Sequence, residues 1–271
     1  MERKFLKSGI PGLDEILGGG FLDGSITTVG GSSGSGKSTF AMQFLYEGAV
    51  KFDEPGIYIA IEESRDSMLF HMSGFDWNLR DLELEKKILF LDYPVYEVNQ
   101  FMDQYGAIQE IINSAEVKRV VVDSIMPVAL YFKDEDERKK GFLKLIENIR
   151  RWNTTTFIVS EDTRSAPLGS LPNTNYEIES FTDGWINLYY QYDQKAGERR
   201  RSIEVLKMKG VAHSAKPYPA HMDEAGFFID SIKKRPKATR TSNKPKKKKA
   251  PAKEEKPKKT TKRKSLGIRK K

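Results

Sequence analysis

Eight residues constrain this chain more than any others. Gly31-Ser32-Ser33-Gly34-Ser35-Gly36-Lys37-Ser38 spells G-x-x-x-x-G-K-[ST]. A loop of that pattern turns its backbone N–H groups inward around phosphates, and glycines permit the turns this requires. Lys37 supplies an amine for the outer phosphates, and Ser38 a hydroxyl for Mg²⁺. Ser33, Gly34, Ser35, Gly36, Lys37, Ser38 and Thr39 are therefore the expected nucleotide contacts. The loop has to leave a strand and open a helix, so that the helix N-terminus also faces the anion. Both flanks fit. Ile26-Thr27-Thr28-Val29 precedes it, β-branched throughout, and Phe40, Ala41, Phe44 and Leu45 follow at helical spacing. A Gly/Ser-rich linker that happens to contain a lysine would have neither flank.

The rest of the chain reads as strands alternating with helices. Ile57 to Ile61, Lys87 to Leu91, Val120 to Val122 and Thr156 to Val159 are near-continuous apolar runs, as expected of strands covered on both faces. Between them, helical stripes run through Met68, Leu69 and Met72 (with Ser64 as N-cap), from Phe101 to Ala115, and from Phe142 to Trp152. That order predicts an α/β fold with a mostly parallel sheet flanked by helices. Residues 164–180 are rich in Pro, Asn and Ser and read as a surface loop. Beyond Trp185 short strands separated by turns predict an antiparallel C-terminal extension of the sheet.

In open parallel sheets ligands sit outside the carboxyl ends of the strands. Here four strand ends carry polar residues: the loop itself, Glu62-Glu63, Asp123-Ser124 and Ser160-Glu161. Asp123 can hold Mg²⁺ beside Ser38, its bland alternative being a cap on the next helix. Glu62 or Glu63 can orient and deprotonate an attacking water; otherwise they are simply acidic residues at a helix start. Lys207 and Lys209 are two apart in a strand pattern, so both amines share one face. They can reach a γ-phosphate, in this subunit or the next, unless they are only a solvated strand end.

Charge divides the chain. Lys233 to Lys271 holds 20 Lys+Arg and 2 Asp+Glu, leaving 26 and 36 of the totals 46 and 38 for residues 1–232. An acidic body of −10 thus precedes a tail of +18 with few apolar residues, which predicts a folded domain over 1–232 and a disordered basic tail over 233–271. A polyanion such as DNA or RNA suits that tail, although it can equally serve only for solubility. There is no cysteine, so thiolate and disulfide chemistry are excluded. With no apolar run near the ~18 residues of a membrane span and no signal-peptide pattern, the expectation is a cytoplasmic protein that does not enter membranes.

Taken together, these residues resemble the RecA superfamily, and more closely the KaiC-like ATPases. The resemblance covers residue 5 to about residue 230 and rests on an ordered set. It comprises Ser8-Gly9-Ile10-Pro11-Gly12-Leu13-Asp14, the Gly18-Gly19-Gly20 turn, the phosphate loop, Glu62-Glu63, Asp123-Ser124, and Leu206-Lys207-Met208-Lys209-Gly210 with His213. It implies a RecA-like P-loop core, ATP and Mg²⁺ as ligands, and Glu62 and Glu63 as catalytic carboxylates. It further implies that Lys207 and Lys209 reach the ATP of a neighbouring subunit in a ring, commonly a hexamer. The single phosphate loop is similar to the single-domain, archaeal members. KaiC itself has two such domains, so a circadian role does not carry over. Three other readings use the same site: a recombination accessory protein similar to RadA paralogues, a KaiC-like autokinase, and a nucleotide-sensing subunit with little turnover.

Overall fold

The computed structural model describes residues 3–161 and 167–230. The basic tail, the boundary at residue 232 and the nucleic-acid reading that depends on the tail lie outside the described residues.

The chain opens with β1 (Phe5–Leu6), α1 (Leu13–Ile16) and β2 (Phe21–Leu22). β3 (Ile26–Gly31) then enters α2 (Lys37–Lys51) through the glycine-rich loop. β4 (Gly56–Ile61) is followed by α3 (Arg65–Met72) and α4 (Leu79–Leu84), and β5 (Ile88–Tyr93) by α5 (Val98–Asp103) and α6 (Tyr105–Ser114). β6 (Arg119–Asp123) leads to α7 (Met126–Tyr131) and α8 (Glu135–Arg151). After β7 (Thr155–Ser160) come β8 (Gly184–Asp193), β9 (Glu198–Met208), β10 (Tyr218–Asp223) and β11 (Gly226–Ile229).

Nine of these strands form one sheet in the order β11-β10-β9-β8-β3-β7-β6-β4-β5. The pairs from β8 through β5 are parallel, and those from β8 outward to β11 antiparallel. This is the expected α/β architecture with its antiparallel C-terminal strands. β8 and β9 run longer than their apolar patterns, because the polar residues from Glu198 to Arg201 extend the ladder past the apolar part. The apolar stripe from Phe101 to Ala115 is two helices rather than one. Gln104 leaves helical geometry (φ −97°, ψ 12°) and accepts a hydrogen bond from Tyr93 Oη (3.0 Å). The periodicity survives the break because Val98, Phe101, Ile108 and Ile112 all bury against the same core. The loop expected over 164–180 is described from residue 167, and it closes on a short turn, Ile178–Ser180, whose Ile178 is buried.

Each face of the sheet has its own core. α2 packs on one, with Phe40 and Phe44 stacked near Phe157 (6.0 and 4.1 Å between ring centres). α5 to α8 cover the other. α2 is buried on most of its surface, since β11 closes over its far side. Gln43 fixes that contact by donating to Phe227 O (3.2 Å) and accepting from Phe227 N (2.6 Å).

Arg119 anchors the start of β6 although it is wholly buried. Its guanidinium pairs with Glu54 and donates to the carbonyls of Lys7 (2.7 Å), Ser8 (3.2 Å) and Phe44 (2.8 Å). A buried charge is tolerated only when its donors are met in this way. The bonds tie the N-terminal segment to α2 and β6.

Candidate active site

Parallel strands bring their carboxyl ends to one edge, so the register decides what meets there. Reading across β3, β7, β6 and β4, that edge carries the phosphate loop, Glu161, Asp123 and then Glu62-Glu63. A small polar cleft is lined by Ser38, Tyr58, Ala60, Glu62, Glu63, Asp123, Ser124 and Glu161.

The loop has the backbone shape its sequence requires. Gly31, Gly34 and Gly36 have φ of 151°, 77° and 100°, in the region that favours glycine. A Cβ on Gly31 would lie 2.5 Å from Leu188 O and 2.7 Å from Ser35 Oγ. α2 begins after Gly36 with no side-chain cap and no acidic residue in its first turn, which leaves its N-terminal N–H groups to an anion. Ser33 and Gly34 are exposed at the tip, and Ser38 and Thr39 are half-buried in the first turn. Ser35 Oγ is buried with no hydrogen-bond partner. Lys37, 3% exposed, donates to Ser32 O (3.1 Å) and pairs with Glu161 (3.0 Å), so its ammonium stands inside the loop's curve. Backbone shape, open helix end and buried cation all fit a bound phosphate chain.

The donor set beside the loop also fits Mg²⁺. Ser38 and Asp123 line the same cleft. Among the described residues no group of three or more His, Cys, Asp or Glu is arranged to hold a metal. An ion that arrives with a nucleotide needs only one or two protein ligands. Asp123 is half-buried at the strand end, and the loss of water around its carboxyl pushes it up from the ordinary range. The hydrogen bond from Tyr58, the Ser38 hydroxyl and the charge of Lys37 oppose that shift, and Glu161 adds to it.

The two glutamates differ. Glu62 has φ 137°, a left-handed conformation that costs a side-chain-bearing residue about 1–3 kcal/mol. Its carboxyl titrates above the ordinary range, chiefly from burial, with Glu161 and Asp123 contributing. Glu63 instead turns towards α3, accepting from Ser67 Oγ (2.6 Å) and meeting His71 Nδ1 (2.5 Å). If Glu62 takes the proton of water, turnover must fall as pH drops through its raised pKa. The acid limb of a pH–rate profile is then expected above the ordinary glutamate range. A rate that stays flat down into that range would remove Glu62 from this role.

Lys207 and Lys209 lie elsewhere. Thr27 pairs with Gly184, and Gly184 with Met208. The lysines therefore stand level with the amino-terminal half of β3, Lys207 about 10 Å and Lys209 about 16 Å along the strand from Gly31. Lys207, half-buried, donates to Glu179 O (2.8 Å), and Lys209 lies 3.7 Å from Asp183. Burial and the neighbouring Lys209 pull the Lys207 ammonium below its ordinary pKa. The structure does not bring these amines to the chain's own loop.

Sequence reasoning gave no role to three residues at the loop. Glu161, noted only as a polar strand end, pairs with Lys37. Tyr58, read as part of an apolar run, donates to Asp123. Arg201, in a charge run, stacks over Tyr190 (4.4 Å) and donates to Gly34 O (3.4 Å), with its Nε buried and unpartnered. A tyrosine in a doubly covered strand was the available signal, because a buried phenol hydroxyl usually finds a partner.

The profile of the family described as "ATPase: KaiC" matches residues 6–234. The chain belongs to the KaiC ATPase family. Its KaiC relatives include the circadian clock oscillator protein KaiC of Parathermosynechococcus lividus, 32% identical over 245 residues. That match takes in 88% of this chain but 44% of the relative, so the chain spans about half the length of the KaiC proteins it matches. UPF0273 protein MJ1359 of Methanocaldococcus jannaschii is 31% identical over 240 residues, covering 83% of this chain and 96% of that protein. The solved KaiC-like protein PH0186 of Pyrococcus horikoshii superposes with a TM-score of 0.72 at 33% identity, over 84% of this chain and 99% of that one. The KaiC-like resemblance and the RecA-type sheet are thus shown, single-domain archaeal relatives included. No helix of the described residues is long and apolar enough to cross a membrane.

Proposed function

We propose that this member of the KaiC family hydrolyses ATP to ADP and phosphate in an oligomeric ring, each site completed by Lys207 and Lys209 of the next copy. One observation carries the reading: the loop, Ser38, Asp123 and Glu62 converge on one sheet edge, while the two lysines stand away from it. Backbone N–H groups of residues 33–39 and the Lys37 ammonium hold the phosphates. Ser38 and Asp123 would hold Mg²⁺, which neutralises charge on the phosphate oxygens when bound. Glu62 accepts a proton from water as its oxygen attacks the γ-phosphorus, and the bond to the β-phosphate oxygen breaks to release ADP. Glu63, tied to Ser67 and His71, fixes the turn from which Glu62 projects. A neighbouring copy's Lys207 and Lys209 supply positive charge to the γ-phosphate. The hexamer implied by the sequence resemblance is the expected ring.

Turnover per subunit measured over a wide range of protein concentrations tests this. It is expected to rise with concentration and then level off. A constant turnover, in a sample that sizing shows to be monomeric at the lowest concentration, overturns the shared site.

A further inference from the structure

The geometry points to Tyr58 as a positioning residue that holds the Asp123 carboxylate in place for Mg²⁺, an inference that rests on the ATPase reading above. Tyr58 and Ala60 lie on the same face of β4, two residues apart. Ala60 pairs directly with Asp123, and Tyr58 with Val121. Asp123 is therefore the diagonal neighbour of Tyr58, a separation that aromatic side chains span. The small Ala60 leaves the space between them open. Through it the phenol hydroxyl donates to Asp123 Oδ2, leaving Oδ1 free of this bond. The cleft that holds this pair also holds Ser38, the other candidate metal residue.

Packing does not account for a tyrosine here. The ring is 3% exposed and rests in the apolar core below the cleft, with Phe90 tilted against it at 6.3 Å. A phenylalanine fills the same volume. What the hydroxyl adds is its bond to Asp123. A tyrosine hydroxyl carries its proton at neutral pH. It is thus a fixed donor that stops the Asp123 carboxylate from turning away from the α2 terminus.

The test is Mg²⁺ binding rather than turnover. Full-length wild type and Tyr58→Phe are titrated with Mg²⁺ at fixed non-hydrolysable ATP analogue, by calorimetry and with Mn²⁺ as a spectroscopic probe of direct ligation. A hydrogen bond to an ionised group is worth about tenfold in an equilibrium constant or more, so the metal midpoint of Tyr58→Phe is expected to rise by about that factor. Affinity for the analogue without metal is expected to match wild type. Asp123→Asn and the double variant are expected to coincide, since Tyr58 acts through Asp123. An unchanged metal midpoint overturns the inference, as does an equal loss of metal-free affinity or a further drop in the double variant. Wild type that binds the analogue without any response to Mg²⁺ overturns the ATPase reading itself, and the inference with it.

Discussion

Replacing Glu62 by Gln is expected to lower ATP turnover by about 10²- to 10⁴-fold, the usual contribution of a general base, while ATP still binds. Glutamine keeps the size and the hydrogen-bonding reach of the side chain but cannot take up a proton. Glu62 is the stronger candidate of the acidic pair on three grounds. It lines the cleft with Ser38 and Asp123. Its raised pKa moves it towards the range useful for proton transfer. Its backbone is held at φ 137° despite the strain. Glu63 also lines the cleft, but its Oε1 is engaged by Ser67 and His71. Glu63→Gln keeps an acceptor for Ser67 and should cost much less. Steady-state rates and equilibrium binding on both variants decide the matter. If Glu63→Gln loses as much as Glu62→Gln, or Glu62→Gln loses nothing, the assignment is wrong.

The second large effect concerns Lys207 and Lys209. Replacing both by Ala is expected to lower turnover by about 10³-fold, at the lower end of what a cation supplied in trans contributes to phosphoryl transfer. Lys207 also holds the carbonyls of Glu179 and Ser180, so a loss of rate alone does not separate chemistry from local disorder. Mixing does. Subunits carrying Lys207→Ala with Lys209→Ala keep an intact cleft, and Glu62→Gln subunits keep intact lysines. Some sites in a mixed assembly then draw both halves from intact sources, and turnover is expected to return in the mixture. Mixtures no more active than the average of their parts would end the shared-site reading.

Much of this edge was legible before any coordinates. The loop pattern, the apolar strands and the polar residues that end them are local features, and each strand is buried on both faces. The Glu62-Glu63 pair was legible as a pair but not as a division of labour. What distinguishes them is the backbone turn at Glu62 and the α3 residues that meet Glu63. Glu161 was unreadable as a partner of Lys37 because the two are distant in sequence and meet only when β7 lies beside β3. Tyr58 was hidden by its company in an apolar strand. The position of Lys207 and Lys209 depended on β9 reversing direction beside β8, and no local pattern encodes that relation to the loop.

That reversal bears on how copies of the chain are counted. The loop faces out at the carboxyl edge of the parallel strands, and the two lysines stand back towards the amino edge. A contact that joins one patch to a different patch is head-to-tail, and it either closes or leaves two unlike ends. Under the shared-site reading a lone chain has no complete site. An open row always has one fewer complete site than it has members, with an idle lysine pair at one end. Only closure gives every member a full complement, so shape and arithmetic, more than affinity at any one contact, determine how much of the protein works.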